Sequence, residues 1–407
     1  TYLDSRIIDN KISDHKLVNT EIKILNREKW GRGIWKLNNN VLEDKEFIAA
    51  VKDKINKLID REQTNIKLAW DNLKKEFKKT AISFTKRINE MYKKEELEIK
   101  LELNREITEE IKINLNKRLE KISEQRDKGK KIRAGLFSNL YTMAKSLYKR
   151  EELRKGGQKL ITKIWDNNHK ELIDKNDILN RIKDYYRDLY TKQSIDILKI
   201  NEYLGGVQTE MISSEHKDLC DEFISADENL IAINQLNKGK SPGRDGLTSE
   251  FYYKFRGELA PILENLYNNI LLENDKMTDS MREGLIALIY KGKGERLDLK
   301  NWRPISLLNV DYKILSKVLA NRIKYCFNDI ININQTCGGK GRNIQNNILN
   351  IKTIIDYMKG KNDIGAMVLI DQEKAFDRIE HNFIQKVLEK FGFGENFQNG
   401  LKSCIMV

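Results

Sequence analysis

No proline interrupts the first 241 residues of this chain; its three prolines are Pro242, Pro261 and Pro304. Proline removes a backbone donor and breaks a helix interior, so the long stretch before Pro242 is free to run as helix. From Phe47 to Leu160 it is rich in Lys, Glu, Leu, Ile and Asn, with few glycines. Leu103, Ile107, Ile111, Leu115 and Leu119 recur every four residues, a spacing that predicts one apolar stripe along one long helix. Such a stripe fits a coiled-coil or helical arm and equally a helix that grips nucleic acid. The heptads are too irregular to assign an oligomer.

Charge narrows the partners. The 407 residues are 40% hydrophobic, enough for two or three domains with a core. Lys plus Arg outnumber Asp plus Glu by 74 to 61, a net charge of +13 that favours nucleic acid first and a membrane surface second. Two windows hold the excess: Lys117 to Lys159 is net +9 and Met281 to Lys324 is net +6. Lys and Arg that neutralise phosphates release counterions, so these windows are the first places to expect a polyanion. A solvated helical face is the competing reading. Phe137, Tyr141 and Tyr148 interleave with the first window and suit either base stacking or helix packing.

Apolar runs such as Gly284 to Tyr290 fall far short of the roughly 20 residues that span a bilayer. Cys220, Cys326, Cys337 and Cys404 have neither disulfide-framework nor zinc-site spacing, which points to a reducing compartment. The chain opens on Thr without a signal or transit pattern and reads as an internal piece of a longer protein.

After about Leu204 glycines, prolines and short β-branched runs predict an α/β region. Asn237 to Gly246 is a loop with an Asp-Gly turn, and a helix should begin near Thr248. Its Lys-Ser-Pro-Gly-Arg-Asp-Gly wording is not an ATP-binding P-loop. Gly284 to Tyr290 predicts a strand, Lys291 to Gly294 a turn, and Asn301 to Ser306 a lead into a helix through Ile314, Val318, Leu319 and Ile323. Lys291 and Arg303 thus come to the ends of a hairpin, a pairing suited to a triphosphate. Gly365 to Asp371 predicts a buried strand whose final carboxylate emerges at the sheet's carboxyl end, where a hard cation or a helix cap are both natural uses.

Four phrases then carry a resemblance. Lys240-Ser-Pro-Gly-Arg-Asp-Gly-Leu-Thr-Ser-Glu-Phe-Tyr252, Asn301-Trp-Arg-Pro-Ile-Ser-Leu-Leu-Asn309, Lys313-Ile-Leu-Ser-Lys-Val-Leu-Ala-Asn-Arg322 and Ile370-Asp-Gln-Glu-Lys-Ala-Phe-Asp-Arg-Ile379 occur in that order. Over these 140 or so residues the chain resembles the reverse transcriptase of LINE-type (non-LTR) retrotransposon polyproteins. Ser13-Asp14-His15, ahead of the β-like stretch Lys16 to Leu25 and of Ile34-Trp-Lys-Leu-Asn38, resembles the end of the apurinic-type endonuclease that precedes such polymerases. Tyr185-Tyr-Arg-Asp-Leu-Tyr190 resembles part of the linker between the two.

The resemblance implies an α+β chain: an endonuclease remnant over 1–26, a basic helical linker over 27–204, and the fingers and incomplete palm of a right-hand polymerase over 205–407. It implies RNA-directed DNA synthesis on element RNA, primed at a nicked DNA target and fed by deoxynucleoside triphosphates. Asp371 becomes a ligand of a two-Mg²⁺ site, Phe376 a steric gate against ribose, and Lys291 and Arg303 grips on the triphosphate. Asp14 and His15 become endonuclease residues, and Asp377 a structural residue. The implied location is a cytoplasmic ribonucleoprotein and the nucleus.

Gly339 stands where the family carries an aromatic, and Arg244 where proline is usual. No aromatic-x-Asp-Asp motif occurs, so this chain alone is expected to lack polymerase activity. A non-catalytic RNA-binding remnant and an intron-encoded maturase are the alternatives.

Overall fold

Most of the described residues before Pro242 fold into helices. The computed structural model describes residues 2–8, 17–22, 33–59, 65–105, 108–134, 161–191, 196–272, 276–339, 341–362 and 364–405. Thr1–Trp35 and Lys36–Val407 are two compact units. In the first, β1 (Tyr2–Ile8) and β2 (Leu17–Ile22) pair antiparallel with Ile8 opposite Leu17. The β-like reading of the second stretch is therefore correct, while Asp14 and His15 lie outside the described residues.

The second unit starts with α1 (Lys45–Ile59), α2 (Ile66–Leu103) and α3 (Glu109–Ala134). A short ladder of β3 (Ile164–Trp165) and β4 (Glu171–Leu172) leads to α4 (Lys175–Tyr190), α5 (Ile197–Gly206), α6 (Ser214–Asp221), α7 (Ala226–Asn234), α8 (Ser249–Lys254) and α9 (Arg256–Leu272). The hairpin of β5 (Leu285–Tyr290) and β6 (Trp302–Leu307) follows, then α10 (Val310–Ile330), α11 (Ile344–Lys361), α12 (Ala375–Arg378), α13 (His381–Phe391) and α14 (Glu395–Ile405). The described chain is mostly helical, and every sheet within it has two strands.

The stripe from Leu103 to Leu119 does not lie on one helix. Helix α2 stops at Leu103, and α3 starts after Thr108 with Glu109 and Glu110 in its first turn, where acidic side chains suit the helix dipole. The two helices fold back on each other around Ile99, Leu115 and Ile122, with Tyr92, Leu103 and Leu119 beside them. Arg118 Nε closes the pair on Glu95 Oε1 at 2.8 Å. Burial of Leu115, with Leu103 and Leu119 packed beside it, favours the turn over one continuous helix.

The first half of α2 is built for a core. Asn65 caps it by accepting from the Leu68 N–H, and Trp70, Leu73, Phe77 and Ala81 are buried along one face. Phe77 meets Phe251 of α8 at 5.1 Å between ring centroids, and Phe47 of α1 meets Phe255 at 6.4 Å. Each such buried side chain contributes about 1.5–3 kcal/mol of transfer free energy. Helices α1, α2 and α8 therefore share one core.

Downstream, the expected Asp-Gly turn and the helices after it form. Gly246 N donates to Gly243 O at 3.2 Å, closing the expected turn, and α8 begins after Thr248. Helix α10 buries Ile314, Leu315, Val318 and Leu319. The strand expected over Gly365 to Asp371 is absent: residues 364–372 have no regular structure, and Val368, Leu369 and Ile370 are 78–91% exposed. An apolar run becomes a buried strand only when neighbours complete its ladder, and no described strand pairs with it.

Candidate active site

The family phrases that lie far apart in sequence are locked together by one polar junction. Gly243 sits so close to Asn309 that an added Cβ would fall 2.1 Å from its Oδ1, so a larger residue here would force the neighbouring atoms to shift. Asn309 Oδ1 accepts from Asp245 N at 3.2 Å, while its Nδ2 donates to Ser280 O at 2.6 Å. Leu37 N donates to Gly246 O at 3.0 Å, and Thr248 Oγ1 donates to Asn39 Oδ1 at 2.8 Å. Leu37 and Asn39, the Ser-Pro-Gly-Arg-Asp-Gly loop and Asn309 thus meet at one place.

Beneath this junction lies a buried charge cluster. Lys74 of α2 reaches Asp311 Oδ2 at 2.5 Å, Asp245 Oδ2 at 3.4 Å and Asp71 Oδ1 at 3.9 Å. Trp70 Nε1 also donates to Asp311 Oδ2, at 2.9 Å. Burial pulls the Lys74 pKa down, but the charges of Asp311, Asp245 and Asp71 override it and leave it raised. Burial, reinforced by repulsion from Asp311 and opposed by Lys74, pushes the Asp245 carboxyl up to about 6. Burial is the larger part of what lifts Asp245, and the Asp311 charge adds to it against Lys74.

The expected hairpin forms. Ile289 pairs with Arg303 and Tyr290 with Trp302, and the Lys291 N–H donates to Asn301 O at 2.8 Å. Alternation along the strands puts Lys291 and Arg303 on one face. The turn uses positive φ at Gly292 and Gly294. The opposite face, through Leu288, Tyr290 and Trp302, packs on Ile178, Ile182 and Tyr185 of α4. Arg282, Lys291, Lys293, Arg296, Lys300 and Arg303 of the second basic window are exposed, whereas its Arg322 is buried. Arg322 forks Glu228 at 2.7 and 2.8 Å and donates to the carbonyls of Cys220, Glu222 and Phe223, which makes it a structural clamp between α10 and α6–α7. The first window lies in α3 and in residues outside those described.

The Asp371 segment reaches the hairpin through α4. Lys374, with φ at +51°, donates to Tyr185 Oη at 2.8 Å, and Tyr190 Oη donates to Asp377 Oδ1 at 3.2 Å. Burial and the nearby Asp377 charge push the Tyr190 phenol up to about 12. Lys291, Arg303, Lys374 and Asp377 then line one pocket of about 270 Å³ with Tyr185, Tyr186 and Trp302. A larger cleft of about 1450 Å³ is lined by Phe376, Asp377 and Arg282 among others. Asp371 is exposed, and Phe376 is 99% exposed on α12.

The structure thus brings Lys291 and Arg303 together beside Asp377 and Lys374. Sequence reasoning missed Lys374, the α4 tyrosines and the Lys74 cluster. One signal was available: Lys74 stands among Trp70, Leu73 and Phe77 on an apolar helix face, where a lysine needs a buried partner. At Gly339, where an aromatic was expected, an added Cβ would lie 2.7 Å from Phe327 Cε1. Arg342 covers that ring instead at 4.8 Å and donates to the carbonyls of Asn332, Gln335 and Ile331. Arg244, in the usual proline position, pairs with Glu283 at 3.1 Å.

The family profile for reverse transcriptase (RNA-dependent DNA polymerase) matches residues 289–406, which begin in the hairpin and run through α14. The chain therefore carries a reverse transcriptase domain at its C-terminal end. More narrowly, the chain resembles the reverse transcriptase part of non-LTR retrotransposon proteins of the TX1 and R2 kind. The chain is 28% identical over 386 residues to the transposon TX1 uncharacterized 149 kDa protein of Xenopus laevis, covering 91% of this chain and 29% of that protein. It is 26% identical over 167 residues to the retrovirus-related Pol polyprotein from type-1 retrotransposable element R2 of Popillia japonica, covering 40% of this chain and 22% of that one. The chain spans less than a third of the length of these relatives.

A reverse transcriptase implies a nucleic-acid template, deoxynucleoside triphosphates and a divalent metal ion. Among the described residues no three His, Cys, Asp or Glu side chains gather to hold a metal, and the exposed Asp371 carboxylate offers that ion part of a ligand set. Among them, too, no helix is long and apolar enough to cross a membrane.

Proposed function

We propose that this chain is the part of a non-LTR retrotransposon protein that binds the incoming deoxynucleotide while element RNA is copied into DNA at a nicked target. The convergence of Lys291, Arg303 and Lys374 on one pocket beside the Asp371–Asp377 segment carries this reading. Arg303 supplies a planar fork and Lys291 a point charge, a division suited to adjacent phosphates. Asp371 would supply one carboxylate towards the Mg²⁺ pair, and Phe376, standing free in the larger cleft, would pack against the deoxyribose. With no further ligands gathered at Asp371 among the described residues, the 407-residue chain alone is expected not to extend a primer. Asp14 and His15 would serve an endonuclease that makes the nick, and the whole protein would act in a cytoplasmic ribonucleoprotein and then the nucleus.

The test is primer extension on an RNA template by the longer protein that contains this chain, with Asp371→Ala as the variant. Loss of incorporation by at least a hundredfold with RNA binding retained supports the reading. Undiminished synthesis by Asp371→Ala removes it.

A further inference from the structure

The helix α4 belongs to the linker, yet it forms one wall of the pocket that holds Lys291 and Arg303. Within that wall Tyr186 is only 5% exposed, and its hydroxyl has no hydrogen-bond partner. Buried polar groups are nearly always paired, because an unpaired one loses its water without compensation. The ring is held firmly: it meets Tyr185 edge-on at 5.2 Å and stacks on Tyr190 at 6.0 Å. Burial pushes the phenol's pKa upward, so at neutral pH it is a donor.

We propose that the Tyr186 hydroxyl is a positioning group for the phosphates of the incoming nucleotide, supplied to the polymerase pocket by the linker helix. The surroundings select an anion. Lys291, Arg303 and Lys374 outnumber Asp377, whose Oδ1 already accepts from Tyr190. Lys374 spends one donor on Tyr185 and keeps two, and Lys291 spends one on Lys300 O. About 270 Å³ is smaller than the space a drug-sized ligand needs, and suits a short phosphate chain rather than a base. A phosphate oxygen accepts from a hydroxyl and from ammonium or guanidinium groups together. The hydroxyl would then gain, on nucleotide binding, the partner it lacks in the free protein.

This inference rests on the reading of Lys291 and Arg303 as phosphate grips, and its test separates the two. Inorganic tripolyphosphate is titrated calorimetrically into the 407-residue chain, into Tyr186→Phe and into Arg303→Gln, and the melting temperature of each is measured without ligand. Tyr186→Phe is expected to bind roughly tenfold more weakly, the loss typical of one hydrogen bond to a charged group. Its ligand-free melting temperature should stay level or rise, because no hydrogen bond is removed and one buried unpaired hydroxyl is. Equal binding by Tyr186→Phe beside weakened binding by Arg303→Gln overturns the role of Tyr186 and leaves the pocket. A lowered melting temperature of Tyr186→Phe shows a structural role and overturns it as well. No tripolyphosphate binding, or binding that neither substitution changes, overturns both readings.

Discussion

Replacing Lys74 by methionine would keep most of the side chain's volume and remove the one cation shared by Asp71, Asp245 and Asp311. Lys74 is 3% exposed and Asp311 fully buried, so water cannot take the ammonium's place. Removing one partner of a buried ion pair costs about 3–5 kcal/mol, a large part of the roughly 5–15 kcal/mol that holds a typical domain. The cost comes from ionised carboxylates, so it depends on pH. Asp245 already titrates near 6 beside Lys74; without the cation its pKa rises further. The deficit of Lys74→Met should therefore be greatest at pH 8 and shrink as the pH falls towards 6. Urea unfolding at pH 8 and pH 5.5 measures it, with tryptophan fluorescence as a natural probe because Trp70 bonds the same carboxylate. Wild-type stability in Lys74→Met at pH 8, or a deficit independent of pH, would refute the account of the cluster.

Two other substitutions follow from the same junction. The folded-state pKa of Asp245 lies above its ordinary value of 3.8, so the fold holds the proton more tightly and loses stability as pH rises through about 6. Asp245→Asn removes that loss. It should be more stable than wild type at pH 8 by up to ~3 kcal/mol, about 1.4 kcal/mol per unit, with the gain fading towards pH 4 in the same urea series. Gly243→Ala would press a methyl group into Asn309, and an overpacking cost of about 1–3 kcal/mol is expected in the unfolding midpoint.

Much of the fold was legible where the signal is local. The Asp-Gly turn, the hairpin around Lys291 and Arg303, and the apolar face of α10 all follow from residues within a few positions of one another. What depended on distant partners was not. Asp245 and Asp311 stand 171 and 237 residues from Lys74, and nothing in sequence spacing announces such a pairing. The four-residue stripe through Leu103 and Leu119 was read as continuous because periodicity is blind to a turn that preserves it. The run to Ile370 has strand composition, but composition cannot supply the neighbouring strands that would bury it. At the site, the hairpin cations were visible as a pair, whereas Lys374 and the α4 tyrosines came into view only once α4 was seen against the hairpin.

The central claim is that Arg303 holds the phosphates of the incoming deoxynucleotide. It is tested most directly by steady-state incorporation of dTTP on an RNA template, comparing the longer wild-type protein with Arg303→Gln. The account predicts a KM for dTTP raised at least tenfold, with RNA affinity unchanged. An unchanged KM would contradict it and would make the exposed hairpin cations a nucleic-acid contact instead.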